Sequence, residues 1–287
     1  AFVRAGNVFA IDVKIFDVTT RKLLRSASSR GEGAGSILLS QIDDLGSQIS
    51  TGIGVPSSVV TAEDKPITEV TTSSIEAYNY FLRGRQDSEK LVLNEAIQFL
   101  RKAVELDSTF AMAYYYLARA FTAYADDRSA KQALGKAVKY AGRVSRKERL
   151  LIEEMHARMI EGDREKSYKI LVQLEAQYPS DKRVLEALGG YYKGSRMFER
   201  AVSYYNRALV LDPSWSYCLM NLGYLYLYNL NEYEKALELF KRDAAASPGD
   251  PNAFDSMGEA YLILGKLDSA KARFTEAKLV KPSWPAE

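Results

Sequence analysis

Apolar residues recur at helical spacing from about residue 75 to the carboxyl-terminal end of the chain. Five segments with this pattern each align on one small residue. The segments are YFLRGRQ, YYLARAF, EALGGYY, MNLGYLY and DSMGEAY, and their small residues are Gly84, Ala118, Gly189, Gly223 and Gly258. A second small residue follows twelve positions later in four segments and thirteen later in MNLGYLY: Ala96, Ala130, Ala201, Ala270 and, in the last case, Ala236. The alignment predicts helix pairs that recur with a period of about 34 residues.

Each second helix has a large apolar residue and a stop signal at fixed sites. The large residues are Leu100, Leu134, Tyr205, Phe240 and Phe274, and the stop sites are Ser108, Pro213, Pro248 and Pro282. Proline lacks an N–H and has a fixed φ, so it ends a helix. A divergent unit with the first helix RLLIEEMHARM follows a three-residue insertion near GRVSRK, with Met155 at the small site and Ser167, Leu171 and Pro179 at the later sites. Six units are predicted, from about Ala77 to Pro282.

Small residues are needed where two helix backbones approach closely, and one helix pair is too small to bury its own apolar face. The pairs are therefore expected to stack on one another in sequence order. The pattern resembles the tetratricopeptide repeat (TPR) over roughly 208 of the 287 residues. That resemblance implies a mainly α fold, a right-handed α-solenoid of six TPR helix hairpins whose first helices line a concave groove.

Positions 1–60 follow a different pattern. NVFAIDVKIFDV alternates apolar and polar residues, as a half-buried strand does, and TTRK supplies a turn into a second strand, KLLRSASSR. A short strand, AFVRA, precedes them through a turn at Gly6 and Asn7. From Ser36 to about Ile53 the spacing of apolar residues becomes helical. Three strands and one helix predict a small partial α+β domain.

This amino-terminal stretch resembles the second half of the TolB-like domain that precedes TPR arrays in bacterial signalling proteins. The resemblance rests on IDVKIFDVTTRKLL, LLSQIDDLGSQISTGIGV and IEAYNYFLRGR. The predicted organisation is a partial TolB-like domain at 1–60, a polar linker at 61–74 and the TPR array at 75–284. Ser73 or Ser74 is expected to cap the first repeat helix. Because residue 1 is Ala, we expect the chain to be part of a longer protein.

Composition and motifs give no sign of catalysis. The chain has 47% hydrophobic and 26% charged residues, typical of a soluble globular protein, and its net charge of +2 is too small to indicate a nucleic-acid partner. One cysteine, Cys218, and one histidine, His156, cannot build a soft-ligand metal site. The glycines of RGEGAGS, residues 30–36, lack the spacing of a phosphate-binding loop, so a flexible connection is favoured. We therefore predict neither an enzyme nor a metal or cofactor site.

No membrane span is predicted either. The uncharged stretch from Tyr217 to Asn229 is shorter than the roughly 20 apolar residues that a spanning helix needs. The compartment stays open, either the cytoplasm or, for the tail of a membrane-anchored protein, an extracytoplasmic space.

The groove that the TPR resemblance implies is lined by side chains one and two turns along each first helix. In this chain they are mostly aromatic and basic, a combination that suits a peptide or protein segment. The candidates are Tyr78, Phe81, Arg85, Met112, Tyr115, Arg119, Arg149, Ile152, His156, Arg183, Glu186, Lys193, Tyr217, Met220 and Tyr224. Phe81 with Arg85, and Tyr115 with Arg119, depart from the Lys and Asn pattern of chaperone-tail carboxylate clamps, so a different ligand is expected.

One charged run has two interpretations. Eight Lys or Arg residues and one acidic residue lie between Arg128 and Arg149. The cations that fall on one side of a helical wheel are Arg128, Lys131, Lys136, Lys139 and Arg143. A solvated outer helix face is the simpler interpretation, and a docking patch for an acidic partner surface is the alternative.

Three functional hypotheses follow. The first is a noncatalytic scaffold that binds a protein segment in the concave groove. The second is the regulatory region of a larger bacterial signalling enzyme of kinase or cyclase type, whose catalytic module is absent from this sequence. The third is a self-assembling structural subunit, since KPSWPAE lacks the extra polar helix that usually covers the last repeat.

Overall fold

The computed structural model describes residues 1–33, 36–52 and 72–281. The predicted linker as far as residue 71, the helix end near Ile53, and the predicted array end at 282–284 lie outside these ranges.

A three-stranded antiparallel sheet in the order β1-β2-β3 begins the chain. It comprises β1 (Phe2–Ala5), β2 (Val8–Phe16) and β3 (Leu23–Glu32), as the alternating pattern predicts. Helix α1 (Ile42–Gly52), which follows a π-helical turn at Ile37–Gln41, packs on β3. The Gln48 side-chain amide donates to the Ser28 carbonyl oxygen at 3.1 Å, and Ala27 and Leu45 are buried. The predicted strands and helix are therefore present.

Six helix hairpins, called units one to six, make up the rest of the described chain. In order, two helices a unit, they are α2 (Ile75–Glu89), α3 (Leu93–Leu106), α4 (Ala111–Ala123), α5 (Asp127–Lys139), α6 (Arg146–His156), α7 (Arg164–Gln177), α8 (Lys182–Gly194), α9 (Phe198–Leu211), α10 (Ser216–Leu225), α11 (Tyr233–Ala246), α12 (Pro251–Ile263) and α13 (Leu267–Val280). Consecutive helices contact each other throughout, so the units stack in sequence order as a TPR-like solenoid. The fold is mainly α, as predicted.

The small residues stand where the two helices of a unit touch. A Cβ added to Gly84 would lie 2.7 Å from Leu100, and one added to Gly189 would lie 2.6 Å from the ring of Tyr205. Gly223 faces Phe240 and Gly258 faces Phe274 in the same way. The sequence pattern predicts these residues as the paired small and large sites, and the packing confirms that register.

Every hairpin turns through one residue with positive φ. These residues are Leu91, Ala125, Gly162, Arg196, Asn231 and Gly265. Most successive turns are one TPR period apart, about 34 residues. The spacing is longer from Ala125 to Gly162 and from Arg196 to Asn231, which reproduces both predicted interruptions of the period. In unit five the extra residue is absorbed by a π-helical turn at Tyr226–Leu230, which extends α10.

The predicted position of the insertion in unit three was wrong, because this unit also contains a π-helical turn. A π-helical turn at Ala157–Glu161 extends α6, so one of the three inserted residues lies inside the helix and not in the loop near GRVSRK. Glu154 contacts the second helix, and its carboxylate accepts from the Ser167 hydroxyl at 2.9 Å. Inner-face positions in this unit are therefore one residue earlier than the alignment placed them.

Helix starts follow the expected capping chemistry. The Ser74 hydroxyl accepts from the Ala77 N–H at 3.2 Å, which settles the choice between Ser73 and Ser74. Among the described helices, none has both the length and the apolar content that a bilayer crossing requires.

Candidate binding cavity inside the solenoid

The first helices of units that are not neighbours meet on the inner surface. Arg119 in α4 pairs with Glu186 in α8, with 2.9 Å between Nη2 and Oε2. Arg183, also in α8, donates from Nη1 to the Tyr116 hydroxyl of α4 at 3.1 Å. Units two and four therefore touch directly across unit three, and the solenoid curves tightly.

Further contacts bring units one and five to the same place. The Arg119 guanidinium lies over the Tyr217 ring, 4.5 Å from its centroid. Leu91, in the turn of unit one, belongs to a buried cluster with Met220 of unit five. The inner surface is therefore partly filled by the protein's own side chains, and an open groove along all six units is absent from the described array.

Polar contacts run across the inner surface from unit one to unit four. The Tyr116 hydroxyl donates to Glu89 at 3.3 Å and accepts from Arg183, which in turn bonds to Asp181 at 3.0 Å. Asp181 also pairs with Lys147 of unit three. The contact between Tyr116 and Arg183 joins units two and four, which stacking alone leaves apart, so this network helps to fix the curvature.

The charges in this network are held in their ionised forms. Burial disfavours the Arg119 cation, but the Glu186 carboxylate and the neighbouring tyrosines together outweigh burial and raise the guanidinium pKa well above its usual value. Burial tends to raise the pKa of Asp181, but its hydrogen bonds and charge interaction with Arg183 hold that pKa well below the ordinary range. Burial raises the pKa of Tyr116 to about 12, so its hydroxyl is neutral at pH 7.

A cavity of about 490 Å³ lies beside the Arg119 and Glu186 pair. Seven of the fifteen groove candidates line it: Tyr115, Arg119, Arg183, Glu186, Tyr217, Met220 and Tyr224. They come from units two, four and five. The structure therefore brings together about half of the candidate set.

The other eight candidates lie elsewhere. Phe81, Met112 and Ile152 are buried in helix packing. Tyr78 packs on Phe81 with ring centroids 6.0 Å apart, and Arg85 pairs with Glu89 in its own helix. In unit three Arg149 is exposed and His156 Nδ1 is 3.1 Å from Glu161. Lys193 donates to Asn221 at 3.1 Å, and burial lowers its pKa.

Several lining residues were missed by the sequence alignment. In unit three the one-residue shift puts Leu151, Glu154 and Met155 at the cavity, together with Arg158. Thr122 and Ala123 lie one turn further along α4 than the positions considered, and Leu91 and Leu93 reach the cavity only because unit one curls back toward unit five. The helical period could have predicted Thr122 and Ala123. The positions of Leu91 and Leu93 at the cavity depend on the curvature of the array.

The basic residues lie on the outside. Arg128, Lys131, Lys136 and Lys139 are exposed on α5, and Arg143 lies in the turn that follows, where it donates to the Thr109 hydroxyl at 2.6 Å.

Within the described ranges, no group of three or more His, Cys, Asp or Glu residues is placed to hold a metal ion. Cys218 is fully buried, and burial raises its thiol pKa far above the ordinary value.

One family model matches part of this chain. The family model for the tetratricopeptide repeat matches residues 219–252, which run from α10 into α12. Protein bimA of Emericella nidulans is 33% identical over 97 residues, 34% of this chain and 12% of that protein. Anaphase-promoting complex subunit 3 of Schizosaccharomyces pombe is 29% identical over 96 residues, 33% of this chain and 14% of that protein. The matches thus span only about an eighth of each relative.

The solved structures that align with this chain have low sequence identity to it. The APC/C hetero-tetramer Cut9-Hcn1 is 19% identical with a TM-score of 0.49, covering 87% of this chain and 52% of that chain. YrrB, described as a TPR protein with an unusual peptide-binding site, is 17% identical with a TM-score of 0.41. The alignment covers 64% of this chain and 93% of that chain.

Proposed function

We propose that this chain is a noncatalytic interaction scaffold that binds a peptide or protein segment at the inner surface of its solenoid. The observation that carries the proposal is the cavity on which aromatic and charged side chains from four successive units converge. The TPR at residues 219–252 supports it, as does similarity to a protein named as a subunit of a multiprotein complex.

The cavity sets the size of the bound element. Its volume of about 490 Å³ falls within the roughly 300–1,000 Å³ of typical ligand pockets. Because units two and four touch beside it, an extended peptide cannot follow the whole inner surface. We expect the cavity to hold a few residues of the partner, such as a chain end or a short loop.

The side chains that line the cavity indicate which partner residues would fit it. Tyr115, Tyr217 and Tyr224 offer rigid aromatic surface at little cost in conformational entropy. Arg119, Arg183 and Arg158 are paired with Glu186, Asp181 and Glu154, but Arg158 keeps 48% of its side chain exposed and can also reach a partner carboxylate. A partner segment with an apolar or aromatic side chain beside a carboxylate fits this lining, with the carboxylate near Arg158.

A cavity-blocking substitution tests the proposal. Gly190 on α8 lines the cavity, and a Cβ added there would meet only the Tyr205 hydroxyl, at 3.8 Å. Gly190→Trp should therefore fill the cavity without separating the helices. Gly46→Trp is the matched control, because Gly46 is an exposed helical glycine of α1 with nothing within 4 Å of an added Cβ.

The measurement uses peptides selected from a displayed random heptapeptide library on the wild-type chain, with Kd determined by fluorescence anisotropy. We expect Gly190→Trp to weaken binding by about a hundredfold, the loss of about 2.7 kcal/mol that removing a central contact causes. Gly46→Trp should bind as the wild type does. Equal affinity of both variants, or failure to select any peptide, would refute the proposal.

Self-assembly is a second candidate function with one supporting observation. Leu262 and Leu267 of the sixth hairpin are 49% and 68% exposed and line a shallow hollow with Phe274, and Leu279 of the same hairpin is 76% exposed. Sedimentation velocity over a range of chain concentrations tests it, and a monomer at every concentration would contradict it.

Three of the sequence expectations stay predictions: the TolB-like identity of positions 1–60, the boundaries of the three segments and a role within a bacterial signalling enzyme.

A further inference from the structure

The outer face of α5 is separate from the cavity. None of its residues lines that cavity, and the residues that pack α5 into the array, Ala130, Ala133, Leu134 and Ala137, lie on its other side and are buried. The opposite side is exposed and holds Arg128, Lys131, Lys136 and Lys139. We call these four residues the α5 basic face.

Ion pairing distinguishes α5 from every other second helix of the described array. In the other five, at least one cation lies within 4.0 Å of a carboxylate: Lys102 with Glu105, Lys169 with Glu165, Arg207 with Glu175, Lys235 with Glu232 and Arg273 with Glu276. Among the described residues, no carboxylate pairs in this way with any cation of the α5 basic face. Four cations therefore share one face without the counter-charges that the other helices supply.

The surrounding sequence keeps this face positive. Asp126 and Asp127 lie only at the start of α5, where the Asp126 side chain accepts from the Ser129 N–H at 3.0 Å as the cap. From Arg128 to Lys147 the sequence contains no acidic residue. Like charges three to five residues apart on a helix repel one another, which destabilises the helix. A ligand with the opposite charge would remove that cost.

We propose that the α5 basic face binds an acidic polypeptide segment of a partner protein. From Arg128 to Lys139 the face is about 16 Å long, at 1.5 Å per residue, which matches about five residues of an extended chain. Gly135 lies at its centre, exposed and with nothing within 4 Å of an added Cβ, so a partner backbone can approach closely between the cations. A polypeptide is favoured over nucleic acid because four cations on one helix, in a chain of net charge +2, give a short and narrow positive field.

The central glycine offers a charge-only test. Gly135→Glu places a carboxylate four residues from both Lys131 and Lys139, where it forms ion pairs along the helix. Gly135→Gln has the same size without the charge and serves as the control. Both changes replace a helix-interior glycine with a better helix former, so both variants should fold, which circular dichroism checks.

The probe is a fluorescein-labelled decaglutamate peptide, followed by anisotropy at low ionic strength. We expect the wild type to bind it and Gly135→Gln to match the wild type within about twofold, while Gly135→Glu weakens binding by about fivefold or more. Raising the salt to about 0.15 M should weaken binding for all of them. Gly190→Trp should bind decaglutamate normally, which separates this surface from the cavity.

Three results would overturn the inference. The first is no decaglutamate binding by the wild type at low salt. The second is equal affinity of Gly135→Glu and Gly135→Gln. The third is tighter binding of a ten-nucleotide oligothymidylate than of decaglutamate, which would assign the face to nucleic acid.

Discussion

Arg119 in α4 and Glu186 in α8 form an ion pair between units two and four, 67 residues apart in sequence. The side chains are only 12% and 14% exposed, and the guanidinium also lies over the Tyr217 ring of unit five. Nearest-neighbour stacking cannot make this contact, because unit three lies between its partners along the chain. The pair forms because the array is curved, and it helps to stabilise that curvature.

We expect Arg119→Ala to lower the free energy of unfolding by about 3 kcal/mol, because Glu186 would keep a charge that is poorly exposed and has lost its partner. Arg85→Ala is the control. Arg85 pairs with Glu89 at 3.9 Å with 41% of its side chain exposed, so its loss should cost about 0.5 kcal/mol or less. Urea unfolding followed by circular dichroism measures both. Equal effects would contradict a structural role for the Arg119 pair.

The Arg119 result also bears on how binding is tested. The sequence pattern predicts Arg85 and Arg119 at equivalent groove sites. The structure gives them different surroundings, so a binding defect in Arg119→Ala has to be compared with its stability before it is assigned to the cavity.

Adjacent glycines on α8 provide a second prediction. A Cβ on Gly189 would lie 2.6 Å from the Tyr205 ring, whereas on Gly190 it would lie 3.8 Å from the Tyr205 hydroxyl. Gly189→Ala should therefore cost about 1 to 3 kcal/mol through overpacking, despite a better helix propensity. Gly190→Ala should raise stability by up to about 1 kcal/mol. Thermal unfolding of both variants checks this, and a Gly189→Ala variant at least as stable as the wild type would show that Gly189 is not a close-approach site.

The hairpins could be predicted because their signals are local and repeated. Gly189 and Tyr205 are the small and large sites of one unit, and the same pair of sites recurs at Gly223 with Phe240. The π-helical turn of unit three could not be predicted, because one inserted residue inside a helix changes neither composition nor apolar spacing enough to locate it. The alignment therefore placed the insertion in the preceding loop, and the inner-face residues of that unit shifted by one.

The candidate site was predicted only as far as the inner faces of single helices. Tyr115 and Tyr217 were found because each lies at a fixed position of its own unit. That the two line one cavity depends on the angle between successive units, summed over four units. This total angle depends on many small packing differences, and no local sequence pattern predicts it.

A buried carboxylate in unit five gives the last prediction. Asp243 on α11 is fully buried, and neither carboxylate oxygen has a hydrogen-bond partner within the described structure. Its site is occupied by a fully buried alanine in four other units: Ala103, Ala137, Ala208 and Ala277. Burial raises the pKa of Asp243 to about 7, and the negative charge of the neighbouring Asp250 adds to that rise.

Because this pKa is about 7 in the folded chain and ordinarily 3.8, the folded chain binds more protons between those pH values. The free energy of unfolding should therefore fall as pH rises from about 4 to about 7 and lose about 4 kcal/mol at most through this group. Asp243→Ala removes that loss, so we expect it to stabilise the chain by about 2 to 4 kcal/mol at pH 8 and by much less at pH 4. Glu238→Ala, at an exposed site of the same helix, should show no such dependence on pH. Urea unfolding of both variants at pH 4, 6 and 8 gives the comparison. A gain for Asp243→Ala that is equal at all three would mean that the carboxylate is not the cause, since packing of the alanine alone does not vary with pH.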